Sequence, residues 1–471
     1  MKENKDVNGR GPWMMLALFP ALAAGAMADW VRVGTPRFEV CTNAGEKTAR
    51  RVLEGLEEMR AAFPRQWTRP LPVRVVVFGT EGEYARVRPA TSAAAFYQSG
   101  PERDFIVSHA QSRELARSLR HEYAHALLQH SSSRIPTWLE EGLAEFYSTY
   151  RRTGTTGYVG GAIETHLQKL NTERWLSADR LMRWERGSEP ENIGLYYAQS
   201  WALVRMLKLS APWRERFDEF WQELEGGIAQ GAAFRGAFGQ DLEGALRELR
   251  VRLATTPEVL SFAVEAPAAV AERPAETMPR GAAGWMIAEL HLLLGRDRES
   301  VALLEELARE RAPGVNWAFV RGMWALRQGE GAAALQLLRQ AAEESPNDAG
   351  VQFEYTMLLR ENRAGRAEIR KGLERVVAAN ADHPEARFLL GVSYADEGRH
   401  EEALVHLERA ARVLPRQSYF WHALALSYRE AGRREDALRA AALARDTARD
   451  PDQRKLAEAT LALSGQPPEK R

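Results

Sequence analysis

The chain holds a single cysteine, Cys41, in 471 residues, so no disulfide can form within it. The stretch before it, Phe38-Glu39-Val40, lacks the small residues that precede a lipid-modified cysteine. A large chain with its own cores does not need such bonds. Net charge is missing too: 64 Lys and Arg balance 64 Asp and Glu, and no concentrated basic tract breaks the balance. A field of one sign that would draw in nucleic acid or anionic lipid is excluded, and no nucleic-acid partner is expected. Long apolar runs are scarce. The one near the start, Trp13 to Ala24, is interrupted by Pro20 and falls short of the ~20 residues of a spanning helix.

What surrounds that run has the logic of a secretory signal. Lys2, Lys5 and Arg10 precede it, and Ala26-Met27-Ala28 follows as a small-residue cleavage site. Removal of residues 1–28 is expected, leaving a chain that starts at Asp29 and has no transmembrane span. Export without disulfides fits a bacterial periplasm.

A chain of this length is expected to divide into domains. Phe38–Asn43 and Leu71–Phe78 read as strands, and Ala93–Ala110 as two strands around a Ser-Gly-Pro turn. Between the first two, Val52, Leu53, Leu56, Met59 and Phe63 recur at helical spacing. From Ser112 the pattern is helical and stays so to about residue 253. Residues 29–254 are thus expected to form an α+β domain. Residues 255–282, rich in Pro and Ala, read as a linker with a short ordered piece at Val259–Val264.

The remainder repeats itself. Tyr394 and Tyr428, Gly398 and Gly432, Ala403 and Ala437, and Ala410 and Ala444 are each 34 residues apart. Gly322, Gly329, Ala334, Ala341 and Pro346 match Gly391, Gly398, Ala403, Ala410 and Pro415 at an offset of 69. The period resembles that of the tetratricopeptide repeat, a helix–turn–helix unit that stacks into an all-α solenoid. Residues 283–463 are expected to form that solenoid and to bind a protein partner. Copies at 283–314 and 349–384 are degenerate in these columns. The aromatic residues Trp317, Tyr394, Trp421 and Tyr428 read as core.

One stretch carries chemistry. His121-Glu122-Tyr123-Ala124-His125 lies in a helical pattern from about Ser112 to His130. Spacing four stacks both imidazoles on one helix face, where they can share a zinc ion, and Glu122 is placed to take a proton from a water that the metal activates. A catalytic zinc needs a third protein donor. Pro136 opens a second helix with an apolar side of Trp138, Leu139, Leu143 and Phe146, and the Ser131–Ser133 run turns the chain back toward the first.

H-E-x-x-H followed by W-L-x-E-G-x-A resembles the gluzincin metallopeptidases, and most closely the bacterial peptidase-MA-like domains. The resemblance covers roughly residues 36–253, with its specific signal in about thirty of them. It implies a zincin-like fold and Zn2+ held by His121, His125 and Glu141. It further implies a general base at Glu122 and a carboxylate at Glu145 that steadies a zinc-bound histidine; the spacing of four from Glu141 to Glu145 places the two on one face. Gluzincins commonly add an oxyanion donor, and of Tyr196 and Tyr197 the pattern favours Tyr197. The gap from His125 to Glu141 is shorter than in the zinc aminopeptidases, and their glycine-methionine-glutamate-asparagine element is lacking, which tilts the reading to an endopeptidase of protein or peptide substrates. The other reading is a periplasmic scaffold whose zinc fold is catalytically idle. Glu140 reads as solvated, His109 and His130 as surface or capping residues, and His166 has no partner legible in the sequence.

Overall fold

The computed structural model describes residues 29–465 apart from residues 61, 64–66, 68–71, 90–92, 101–102, 133, 185–191, 254–258, 265–272 and 449. The signal and its cleavage site lie outside the described residues. β1 (Val31–Gly34) and β2 (Phe38–Thr42) lead into α1 (Glu46–Arg60), and β3 (Val73–Phe78) is followed by the short α2 (Glu81–Ala85). β4 (Ala95–Gln98) and β5 (Asp104–His109) complete the lead-in. Two helices carry the chemical motif, α3 (Leu115–Ser131) and α4 (Thr137–Ser148). A hairpin follows, β6 (Arg151–Thr153) and β7 (Thr156–Val159), then α5 (Glu164–Thr172), α6 (Ala178–Arg183) and α7 (Ile193–Leu209). α8 (Trp213–Glu225), α9 (Gln230–Phe238) and α10 (Leu242–Arg252) close this half of the chain.

β1 to β5 join one six-stranded sheet in the order β4-β5-β3-β2-β1-β9, the last strand being β9 (Glu276–Thr277). β2, β3 and β5 run parallel, while β4, β1 and β9 are antiparallel to their neighbours. Strand periodicity divides β3 between two cores. Val73, Val75 and Val77 face α1 and α3, and Val76 and Phe78 face the other way. Cys41 points to that second side, and burial pushes its thiol up to about 12, so it packs as an inert small hydrophobe.

Two expectations need correction here. The pattern from Ser112 onward is not helical throughout, because β6 and β7 interrupt it; β6 is exposed at every residue, so it carries no apolar alternation to read. Residues 255–282 also do more than link. The ordered piece is β8 (Leu260–Ala263), which pairs with β7, and β9 pairs with β1, so these two stretches are held by ladders that need no side-chain pattern.

The rest is helical: α11 (Arg280–Leu293), α12 (Asp297–Arg309), α13 (Trp317–Arg327), α14 (Gly331–Glu344), α15 (Ala349–Glu361) and α16 (Arg366–Ala379) come first. α17 (Pro384–Asp396), α18 (His400–Val413), α19 (Ser418–Glu430), α20 (Arg434–Asp446) and α21 (Pro451–Ser464) follow. Consecutive helices pack pairwise; from α13 onward each pair packs on the next, and α11 meets α13 through Trp285 and Phe319, with ring centroids 5.4 Å apart. The repeated glycine is a close-approach site: a Cβ on Gly391 would lie 2.5 Å from Leu407 Cγ, and one on Gly322 would lie 2.8 Å from Leu338 Cγ. The degenerate copies fold as the pairs α11–α12 and α15–α16. The first helix of the series also serves the sheet. Ala283, Met286 and Leu290 of α11 share a core with Trp30, Val76, Phe78 and Phe105, so the boundary at residue 283 runs through a common core.

α4 is buried along its length, pressed between α3 and α7. Its glycine is a requirement of that contact: a Cβ on Gly142 would fall against the Ser200 carbonyl oxygen and 2.5 Å from Val204 Cγ2. Gly142→Ala is expected to destabilise the protein by roughly 1–3 kcal/mol despite the better helix propensity of alanine. Calorimetric melting checks this, and an unchanged or raised Tm would contradict the packing account.

Candidate metal centre

α3 offers His121 and His125 one turn apart, and α4 lies against that face. The two Nε2 atoms are 3.0 Å apart. Glu141 Oε2 reaches in from α4 to 3.5 Å from His121 Nε2 and 3.3 Å from His125 Nε2. One donor atom from each residue lies within 4.8 Å of the others. A tetrahedral ion with bonds of about 2.0–2.1 Å separates its donors by about 3.3 Å, so the three positions fit such an ion without rearrangement.

The outer nitrogens explain the orientation of the rings. His121 Nδ1 faces Glu145 Oε1 at 3.5 Å, and His125 Nδ1 faces Glu140 Oε1 at 3.2 Å. A carboxylate beside Nδ1 holds the proton there and leaves the Nε2 lone pair directed inward. Two imidazole lone pairs and a carboxylate oxygen then converge on one point. That donor set suits a divalent cation, and its nitrogen and oxygen composition is within the range that zinc accepts.

Glu145 is the best-anchored of the carboxylates. Arg117 Nη1 donates to its Oε2 at 2.8 Å, and His166 Nε2 on α5 lies 3.5 Å from its Oε1. Burial would raise its pKa, but His121, His166 and Arg117 outweigh burial and hold the carboxyl at about 2. Burial likewise disfavours a charged His121, and Glu145 and Glu141 overcome this to raise its pKa.

The glutamate read as solvated is not. Glu140 is only 3% exposed, and besides meeting His125 it pairs through Oε2 with Arg416, from the turn between α18 and α19. The sequence did hold a signal for this, since helical spacing places Glu140 among Leu143, Ala144 and Tyr147 and so on an apolar side of α4. His166 has a partner after all, Glu145. His130 and His109 are buried rather than superficial. His130 Nε2 meets Asp104 at 2.9 Å and its Nδ1 meets the Val413 carbonyl at 2.5 Å, while the His109 ring stacks on Tyr84 with centroids 5.2 Å apart.

Glu122 is half-buried, on α3 immediately beside His121. Tyr197 is half-buried with its ring centroid 6.3 Å from that of His121. Tyr196 is fully buried against Trp184, where burial and the nearby Glu141 carboxylate push its phenol upward. The two rings are themselves in contact, with centroids 6.3 Å apart, but Tyr196 is fully buried and Tyr197 is the one whose ring neighbours His121.

Comparison with known proteins bears on the second half of the chain. A family model described as tetratricopeptide repeat matches residues 285–349 and 370–419. Among solved structures, a thermophilic TPR protein of Thermus thermophilus is similar at 20% identity, with 39% of this chain and 99% of that one covered and a TM-score of 0.30. MamA from Desulfovibrio magneticus RS-1 is similar at 19% identity, with 32% and 94% covered and a TM-score of 0.27. No curated protein sequence matches. The C-terminal region consists of tetratricopeptide repeats, an architecture for binding protein partners, and it follows an N-terminal α+β region.

Proposed function

We propose that the chain is an exported zinc-dependent metallopeptidase of the gluzincin type, acting as an endopeptidase, with its repeats engaging a protein substrate or partner. The observation that carries this reading is the convergence of His121, His125 and Glu141, each histidine braced from behind by its own carboxylate. Glu122, half-buried next to His121 on α3, and Tyr197, with its ring centroid 6.3 Å from that of His121, support a hydrolytic role over a purely structural one.

His121, His125 and Glu141 hold the ion. Bound zinc supplies a Lewis acid that makes water acidic near neutral pH and polarises a carbonyl. Glu122 takes a proton from the attacking water as its oxygen adds to the scissile carbonyl carbon. The Tyr197 hydroxyl donates a hydrogen bond to the oxyanion that forms. Glu122 then returns its proton to the leaving nitrogen as the C–N bond breaks. Glu145 and Glu140 keep the imidazoles in register throughout. No helix among the described residues is long and apolar enough to cross a membrane.

The purified protein is expected to bind one zinc per chain, and His125→Ala to weaken that binding by at least about 100-fold, loss of a ligand costing no less than the loss of a supporting residue; isothermal titration against zinc measures both. Incubated with an unfolded protein, the wild type is expected to cut internal bonds. Glu122→Gln should retain zinc and lose cleavage by roughly 100- to 10,000-fold, the range for a general base. Zinc retained with no cleavage of any substrate by wild type would favour the idle scaffold, and absence of stoichiometric zinc would remove the metal centre altogether. Tyr197→Phe is expected to lower kcat about 100-fold with little change in KM, as an oxyanion donor should.

A further inference from the structure

We infer that Arg416, a residue of the repeat solenoid, is a positioning residue of the metal centre, acting on His125 through Glu140. The inference rests on the metal-binding reading above. Arg416 lies in the turn that joins α18 to α19, more than 270 residues along the chain from the histidines. Its guanidinium reaches across to the N-terminal half, placing Nη1 and Nη2 3.2 and 3.3 Å from Glu140 Oε2. Its Nε donates to the Ser132 carbonyl at 3.1 Å, at the end of α3 itself. The other oxygen of the same carboxylate, Oε1, meets His125 Nδ1 at 3.2 Å. Glu140 is therefore a two-sided bridge, one oxygen on a solenoid arginine and the other on a metal ligand.

Both ends of the bridge are needed for its chemistry. A carboxylate at 3% exposure needs donors to hold its oxygens in place, and Arg416 supplies two N–H groups to Oε2. A fixed Glu140 keeps the His125 ring oriented, with Nδ1 on the carboxylate and Nε2 turned inward. Without Arg416 the carboxylate would be free to swing away, and His125 would lose its support. The His121 side has no such dependence, because Glu145 is served by Arg117 and His166 from its own half of the chain. The solenoid thereby sets the affinity and geometry of one half of the metal centre.

The same interface supplies a control. Arg134 Nη2 pairs with Asp446 Oδ2 at 2.6 Å, joining the two halves with no link to a metal ligand. In the full-length protein, Arg416→Gln is expected to weaken zinc binding about 10- to 100-fold and to alter the visible spectrum of the cobalt(II)-substituted protein. Arg416→Lys should fall between it and the wild type. Asp446→Ala should leave both readouts unchanged. If Arg416 acts through Glu140, the double variant Arg416→Gln/Glu140→Gln should bind zinc no more weakly than Glu140→Gln alone. Wild-type affinity and spectrum in Arg416→Gln would overturn the inference while leaving the metal centre standing. Equal losses in Asp446→Ala, or additive losses in the double variant, would overturn it too, by showing that the interface acts only as a whole. A wild type that binds no zinc would overturn the metal-binding reading and this inference together.

Discussion

Three glutamates on one buried helix impose the constraint around which the site is built. Glu140, Glu141 and Glu145 are each no more than 5% exposed, within the twelve residues of α4. Ionised carboxylates in an interior are costly unless each is answered by a positive group or by hydrogen-bond donors. The answers come from four directions: the two histidines of α3, Arg117 at its start, His166 of α5 and Arg416 of the solenoid. Of the three, Glu141 is the one aimed at the point where both Nε2 atoms converge, which is the electrostatic case for a cation there.

Packing makes that arrangement rigid. α4 can approach α7 closely only because residue 142 lacks a side chain, and α7 in turn carries Tyr197 beside His121. One glycine thus sets the distance between the ligand helix and the helix of the proposed oxyanion donor. The sheet contributes by fixing α1 and α3 on one face, while its opposite face is covered by α11 of the solenoid. His130 meeting Val413, Arg134 meeting Asp446 and Arg416 meeting Glu140 extend the junction along the repeats. The solenoid and the candidate metal centre are consequently joined by direct contacts rather than by a loose tether.

Much of this was legible in the residues, for reasons that can be named. Helical and strand periodicity located α1, β2, β3 and the β4–β5 pair, because each has a single buried face or a dense β-branched run. The spacing of four in H-E-x-x-H was enough to place two imidazoles together, since it depends only on helix geometry. The hairpin β6–β7 escaped because its first strand is wholly exposed; the piece that forms β8 was legible but its pairing with β7 was not, and the two-residue β9 is too short to leave a pattern. The first repeat fell outside the matching columns for a register reason: the close-contact glycine of α11, Gly284, which meets Leu307, precedes Gly322 by 38 residues instead of 34.

The glutamate cluster shows where local information ends. The sequence by itself determined the helix that carries both histidines and the repeat period, because these follow from spacing along one chain segment, while Glu141 was singled out by a resemblance. Only the tertiary structure decided that Glu140 is buried, that His166 stands behind Glu145 and that Arg416 stands behind Glu140. Those facts depend on which distant segment arrives against α4. No periodicity within a helix records the identity of a neighbour 276 residues away.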